Sequence, residues 1–384
     1  MKRKKVFVGM SGGVDSAVSA ALLKKDGCEV IGVFIKTWHP DFLECNEEEE
    51  RRDAMRVAAF LDIPFLTFDL EDVYKKEVAD YMIREYKAGR TPNPDVMCNK
   101  EVKFGAFLKK AILMGADFVA TGHYAQNANE NFKNSPTFAL GDKRTGDRHG
   151  SLNSSSFHLQ KGVDPSKDQS YFLWTLTQEQ LKKILFPVGH LKKTEVRKLA
   201  KKFKLPVAEK KDSQGICFLG AVDLKEFLKH YIKSKQGEVQ NEKGEKIGFH
   251  DGVVFHTLGE RHGFIITKKS PNDGPHYVVS KDIAKNILVV SQKSPLLVEE
   301  GVGGGNSKKN SLSIIDTNWI SEIPEPNKNY TAQIRYHGEF LSCKVDCATS
   351  DVAQLVFKKP VLVASGQSVV AYDGDICLGG GVVV

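Results

Sequence analysis

The 384-residue sequence predicts an α/β chain: an N-terminal doubly wound parallel sheet, a small central mixed domain and a C-terminal β-barrel. Three observations carry that expectation. Residues 5–124 alternate short apolar runs with helical patterns, the rhythm of a parallel sheet covered on both faces. After Gly237 the texture changes to short strands with glycine turns. From Ser311 onward strands alternate, and Asp373-Gly374 is a hairpin signal, which fits a small barrel. The expected units are 1–205, 206–280 and 281–384.

In chain order, Lys5–Met10, Val30–Lys36, Phe65–Leu70 and Asp117–Thr121 read as buried strands. Asp15–Asp26, Glu47–Leu61, Val73–Lys87 and Val102–Met114 read as the helices beside them. The acidic run Glu47–Glu50 suits a solvated helix start. From Asn127 to Pro165 the chain turns polar and reads as loop, with Thr137–Leu140 and Ser156–Gln160 as a small hairpin or edge strands. Helical patterns return at Thr177–Leu185, Lys193–Phe203 and Leu224–Lys233, and Gly301–Asn310 reads as a linker. No internal repeat is visible.

The bulk numbers exclude some classes. No apolar run approaches the roughly 20 residues that a membrane helix needs. The apolar stretch after Met1-Lys2-Arg3-Lys4-Lys5 is too short for a signal-peptide core, so a cytoplasmic protein is expected. Seven scattered cysteines without a Cys-x-x-Cys argue against a zinc ribbon, and no metal-ligand cluster is expected. In a reducing compartment such cysteines are packing residues or reactive thiols. A net charge of +7 leans modestly toward a polyanionic partner. Lys192, Lys193, Arg197, Lys198, Lys201, Lys202 and Lys204 crowd one helix that is either a solvated face or a phosphate contact.

The strongest local signal is Val6 to Ser16, an apolar strand that ends in Ser11-Gly12-Gly13-Val14-Asp15-Ser16 and runs into a helix. Glycines let bare N–H groups face an anion, and the helix adds the positive end of its dipole. No lysine follows Gly13, as it would in a Walker loop; Asp15 and Ser16 stand there instead. A carboxylate beside a phosphate cradle makes sense when Mg²⁺ bridges it to pyrophosphate, which implies cleavage of ATP between the α- and β-phosphates. The motif resembles the PP-loop signature of the ATP pyrophosphatase superfamily.

Gly89 to Lys100 carries two prolines and no periodicity, so it reads as a stiff loop that presents Arg90, Asn93, Asp95, Cys98 and Lys100. Lys100 or the start of the Val102 helix would favour the Cys98 thiolate, and Asp95 would exchange a proton. Lys210 to Gly220 places Cys217 between Ile216 and Phe218 after a lysine pair. Each cysteine taken alone is equally well a packing residue. Together, beside an ATP cradle, they suggest sulfur transfer through a persulfide and a disulfide that must be reduced after each turnover. Thr121-Gly122-His123-Tyr124 follows the fourth strand, with Gly122 expected against the nucleotide.

These motifs, with Lys167-Asp168-Gln169-Ser170-Tyr171, Phe186-Pro187-Val188-Gly189, His256-Thr257-Leu258-Gly259 and the closing Cys377-Leu378-Gly379-Gly380-Gly381, occur in one order along the chain. In that order they resemble the bacterial tRNA-specific 2-thiouridylases over nearly the whole length. The resemblance implies replacement of the 2-oxygen of a wobble uridine by sulfur, with ATP and Mg²⁺, on lysine, glutamate and glutamine tRNAs. It implies that Gly9, Met10, Ser11, Gly12, Gly13, Val14, Asp15 and Ser16 bind ATP, with Ile35 and Gly122 lining the adenosine pocket. It makes Cys98 the nucleophile, Cys217 the persulfide carrier and Asp95 the acid/base. Asn93, Pro94 and Asp95 would meet the target base, and His123 would help to discriminate tRNA.

Lys167, Asp168, Gln169, Arg335, Tyr336 and Gln367 would touch tRNA, and a sulfur-relay protein or cysteine desulfurase would supply the sulfur. The uridine flips out, ATP adenylates its 2-oxygen, and the Cys217 persulfide delivers sulfur directly or as sulfide, leaving a transient Cys98–Cys217 disulfide. Two departures stand out: Ile35 where methionine is common, and long segments at 127–165 and 301–310. Rival readings are a small-molecule synthetase, which needs no cysteine pair, a non-catalytic RNA-binding module, and thiolation at another tRNA site.

Overall fold

A computed structural model describes residues 3–43, 46–128, 156–212, 223–268, 274–293, 309–347 and 349–384. The first sheet is built from β1 (Lys5–Gly9), β2 (Glu29–Lys36), β3 (Phe65–Asp69), β4 (Phe118–Ala120) and β7 (Ile184–Leu185). All its pairs are parallel and the order is β3-β2-β1-β4-β7. The chain steps one way from β1 through β3 and then returns to the other side of β1 with β4. That reversal opens a crevice beyond the C-terminal ends of β1 and β4, where open α/β sheets take ligands.

Both faces of this sheet are covered. On one lie α1 (Val14–Lys25), α2 (Glu47–Phe60) and α6 (Lys193–Lys202), with Val18, Leu23, Val57, Val196 and Ala200 all fully buried. On the other lie α3 (Glu71–Tyr74, Lys75–Asp80 and Tyr81–Lys87) and α4 (Pro94–Met97, Cys98–Phe107 and Leu108–Leu113), which bury Tyr74, Met82, Phe104 and Phe107. Helix α1 is apolar on nearly every side because it sits between the strands and α6.

The second sheet joins β8 (Gly237–Gln240), β9 (Lys246–His250), β10 (Phe264–Ile266), β11 (Tyr277–Asp282) and β12 (Ile287–Ser291). Its order is β10-β9-β8-β12-β11, antiparallel except for β8 with β12. Helix α7 (Leu224–Lys229), capped by Asp223, precedes it.

The C-terminal strands are β13 (Lys309–Trp319), β14 (Tyr330–Gln333), β15 (Leu341–Cys347), β16 (Val352–Val361), β17 (Ser368–Asp373) and β18 (Ile376–Val383). They run β13-β16-β15-β14-β17-β18, and β13 pairs again with β18, so the sheet closes into a barrel. Ile314, Ala332, Val345, Leu355 and Val369 fill its interior. The Asp373-Gly374 hairpin is present, with Gly374 at φ 58°.

Several expectations are corrected. The strand expected at Ser156–Gln160 is present as β6 (His158–Lys161), but its partner is β5 (Ala125–Ala128), where polar loop is expected from Asn127, and the pair extends the barrel sheet from β18. The helix expected at Thr177–Leu185 is one turn, α5 (Gln178–Leu181), followed by β7, and α7 ends at Lys229 rather than Lys233. The expected linker ends inside β13, which already includes Lys309 and Asn310. Of the acidic run only Glu48 and Glu49 are exposed; Glu47 accepts the Thr37 N–H and Glu50 is half-buried. Thr137–Leu140 lies outside the described residues. Among the described residues no helix is long and apolar enough to cross a membrane.

Candidate functional site

The crevice begins at the end of β1. Gly12 adopts φ +71°, and a Cβ there would lie 2.4 Å from the Glu50 carbonyl, so glycine alone fits the turn. Gly13 caps α1 with no side chain, which leaves the first-turn N–H groups of α1 facing the crevice. Ser16 is drawn inward, donating to the Gly13 carbonyl at 3.2 Å and accepting the Ser11 N–H at 3.3 Å. Gly122, at the end of β4, comes against the same turn: its Cβ would lie 2.7 Å from Ser16 N and 2.9 Å from the Asp15 carbonyl carbon. Any side chain there would fill the space where a phosphate meets the helix N-terminus, so the residues fit a polyphosphate. Ile35 is half-buried on β2, paired with Phe68, and Met10 is buried in the core.

Charge is concentrated around Asp15. Its Oδ1 accepts the Tyr124 hydroxyl at 2.7 Å, and Lys193 Nζ lies 2.7 and 2.8 Å from its two oxygens. Lys193 also reaches Asp212 at 2.9 Å, and Asp212 further holds Lys167 at 2.9 Å and Arg197. Burial opposes ionisation of Asp212, but the lysine hydrogen bonds outweigh it and pull the carboxyl far below its usual range. Burial and the Asp15 charge hold the Tyr124 phenol protonated well above its ordinary range. Gln169 clamps Tyr124 by accepting its N–H at 3.0 Å and donating its own to the Tyr124 carbonyl at 2.9 Å.

The proline segment is not the stiff loop that its composition suggests. Asn93 caps α4, its Oδ1 accepting the Val96 N–H at 3.2 Å, and Pro94 occupies the first helical position, where a missing N–H costs nothing. Asp95 and Cys98 therefore stand on the first turns of α4. Cys98 is 3% exposed and packs in the core below the sheet. Lys100 is exposed and pairs with Glu101 at 3.5 Å. Burial raises the Asp95 carboxyl, with Lys103 pulling the other way. Asn99 donates to the Asp95 carbonyl at 3.0 Å, and its own buried Oδ1 has no hydrogen bond among the described residues.

His123 joins the two halves. Lys103 Nζ donates to its Nε2 at 3.4 Å, so Nδ1 carries the proton and donates to Thr121 Oγ1 at 2.7 Å. The ring is 7% exposed and packs on Phe104 and Phe186. Burial, then Lys103, holds it neutral at a pKa well below the ordinary value.

The distant segments converge here as well. Gln367 donates to the Thr91 carbonyl at 3.2 Å, and Thr91 N–H donates to the Ser365 carbonyl at 2.8 Å. Tyr336 lies 4.2 Å from Phe172 and its phenol is pushed up to about 12 by burial, then by Asp168 and Asp95. Arg335 is exposed. Asp168 has its oxygens taken by Gly162 N–H and by Ser170. Lys281 Nζ donates to the carbonyls of Gly89 (3.0 Å) and His256 (2.7 Å).

The sequence reading did not single out Tyr124, Lys103, Lys281 or Asp212. A lysine two turns beyond Asp95 on one helix was the only available hint of Lys103. In the basic helix the residues divide: Lys193 and Arg197 are part-buried and held by carboxylates, Lys201 is exposed but pairs with Glu209 at 3.0 Å, and Lys192, Lys198, Lys202 and Lys204 are exposed. Cys217 lies outside the described residues.

Residues 4–221, 225–292 and 309–383 match family models described as tRNA methyl transferase HUP domain, tRNA methyl transferase PRC-barrel domain and aminomethyltransferase beta-barrel domain. The chain is 43% identical over 383 residues to the tRNA-specific 2-thiouridylase MnmA of Geobacillus thermodenitrificans, spanning 99% of this chain and 94% of that one. A relative with the same name in Listeria monocytogenes is 44% identical over 384 residues, with the same shares of the two chains. One in Francisella tularensis is 41% identical over 392 residues and matches both chains along their full length.

Proposed function

Because the chain belongs to the tRNA-specific 2-thiouridylase family, we propose that it replaces the 2-oxygen of the wobble uridine of tRNA with sulfur in an ATP-dependent reaction. The supporting geometry is a single tripeptide, Thr121-Gly122-His123. Its glycine touches the phosphate cradle, and its histidine touches Lys103 on the helix that carries Asp95 and Cys98. A phosphate cradle at one end of that tripeptide and, at the other, the helix that bears a carboxyl and a buried thiol suit activation of a carbonyl followed by sulfur attack. Methyl transfer, the activity in the wording of two matching models, calls for no polyphosphate cradle.

In this reading the first-turn N–H groups of α1 hold the phosphates and Asp15 holds Mg²⁺. ATP, when bound, supplies the adenylyl group that makes the uridine 2-oxygen a leaving group. Asn93 and Pro94 fix the start of α4 against the extruded base, and Asp95, with its raised carboxyl, exchanges the proton. Cys217 carries the persulfide that a sulfur-relay protein or cysteine desulfurase loads. Its outer sulfur goes to C2, directly or as released sulfide, and AMP departs. In either route Cys98 attacks the inner sulfur of Cys217, so a Cys98–Cys217 disulfide forms and an external dithiol must reduce it. Gln367, Arg335 and Tyr336, from the barrel, meet the anticodon arm beside this opening.

The test is 2-thiouridine formed at the wobble position of unmodified tRNA, with ATP and a persulfide donor, by wild type, Cys98→Ser and Cys217→Ser. Wild type thiolates and both variants fail. Pyrophosphate release that needs a small acceptor and ignores tRNA would overturn the proposal.

A further inference from the structure

Lys193 is where the cradle carries a charge that the reaction must displace. Its Nζ lies within 2.8 Å of both oxygens of Asp15 and 2.9 Å from Asp212, with the side chain only 14% exposed. Its backbone N–H is anchored by Asp164 at 2.9 Å, which fixes the start of α6 over the crevice. A hard divalent cation on Asp15 would need one of the oxygens that the ammonium now bridges. The two cations repel at that distance, so Mg²⁺ on one Asp15 oxygen breaks the two-oxygen bridge and weakens the hold of Asp15 on Lys193. Asp212 does not need it, because Lys167 and Arg197 still neutralise that carboxylate. The nearest uncompensated anion is then the polyphosphate on the first turn of α1, the turn to which Asp15 itself belongs.

We propose that Lys193 is a phosphate-binding residue of the nucleotide site, one that changes partner from Asp15 to the polyphosphate when Mg²⁺-ATP binds. The inference rests on the ATP reading above and adds to it the cation that the glycine turn lacks. A lysine in a Walker loop is supplied by the turn itself; here it comes from a helix 178 residues away in sequence.

Calorimetric titration of the full chain with Mg²⁺-ATP and with AMP tests this. For Lys193→Gln the expected result is Mg²⁺-ATP affinity lowered about tenfold or more, the range of a lost charge-assisted contact, with AMP affinity within about twofold of wild type. Lys193→Arg recovers most of the loss. A Lys193 that only braces Asp15 competes with Mg²⁺, so its removal would leave Mg²⁺-ATP binding unchanged or tighter, and that result overturns the proposal.

A second measurement uses wild type alone and so does not depend on how the variants fold. An acyl-phosphate derivative of ATP transfers its acyl group to a lysine amine beside the phosphates, forming an amide and releasing the nucleotide phosphate. Peptide mapping is expected to find the amide on Lys193, blocked by excess ATP. Acylation confined to other lysines refutes the inference. Failure of wild type itself to bind Mg²⁺-ATP would instead remove the functional reading on which it rests.

Discussion

Replacing Gly122 by alanine is the sharpest test of where the nucleotide sits. The added Cβ would stand 2.7 Å from Ser16 N and 2.9 Å from the Asp15 carbonyl carbon, both backbone atoms of the first turn of α1. Ordinary contact begins near 3.5 Å, so the end of β4 and the start of α1 must part by roughly 0.8 Å. Neither can do so locally: β4 is paired on both edges and α1 is buried along its length. Overpacking of this kind costs about 1–3 kcal/mol of stability. Hydrogen bonds from N–H groups work over about 2.7–3.2 Å, so the same shift would spoil those that α1 is proposed to give to phosphate. Loss of one charge-assisted bond corresponds to a roughly tenfold to hundredfold weaker Mg²⁺-ATP affinity.

Gly115→Ala supplies the comparison. Its Cβ meets nothing within 4 Å, but its φ of +83° carries a strain cost of about 1–2 kcal/mol. Thermal unfolding and calorimetric titration together separate the two sites. Gly115→Ala lowers Tm and leaves nucleotide affinity unchanged, whereas Gly122→Ala lowers both. A Gly122→Ala protein that binds Mg²⁺-ATP within twofold of wild type would refute the placement of phosphate on α1.

Two further outcomes follow from burial. The folded His123 stays neutral well below its ordinary value of 6.5, whereas the unfolded chain takes up a proton there. The unfolded state therefore binds more protons below about pH 6.5, and stability falls as pH drops from 7 to 5. Removing the titration with His123→Gln flattens that fall by up to about 1.4 kcal/mol per pH unit, read from denaturant midpoints; equal slopes in the two proteins would count against it. The comparison is between proteins because burial depresses His190 and His250 in the same direction. For Cys98, 3% exposed, mass-spectrometric alkylation should run at least about tenfold slower in the native protein than in denaturant, and equal rates would contradict its burial.

What the sequence disclosed and what it concealed divide along contact distance. The strand, glycine turn and helix from Lys5 to Lys25 were legible because each signal is local: an apolar run, two glycines and a helical pattern within one short stretch. Asn93-Pro94 was misread because the same pair that begins a helix also stiffens a loop, and only the Val96 N–H bond to Asn93 decides between them. Ser156–Gln160 reads as an edge strand and β6 (His158–Lys161) forms there, but its partner β5 (Ala125–Ala128) is short and polar, and its pairing and the link to β18 are long-range contacts that no local pattern announces. Lys193 was visible only as one cation among seven. Which of those faces a carboxylate and which faces water depends on how α6 packs on α1.

The same non-local contacts tie the C-terminal units to the segment that leads into Asp95 and Cys98. Residues 89–93 lead into the helix of Asp95 and Cys98, and each of the other two units grips them. Lys281, on β11, holds the Gly89 carbonyl, and Thr257 Oγ1 lies 3.1 Å from Thr91 Oγ1. From the barrel, the Ser365 carbonyl takes the Thr91 N–H, and Gln367 donates to the Thr91 carbonyl. Arg90 is turned away by its pair with Glu85. A segment tied by its backbone at both donor and acceptor cannot drift without breaking bonds to another unit. The position of Asp95 is thereby referred to the barrel, the surface that carries Arg335 and Tyr336. If Asp95 is the acid/base proposed above, one hydrogen-bonded frame holds it and the proposed anticodon contacts at a fixed separation before tRNA arrives, so less ordering remains to be done on binding.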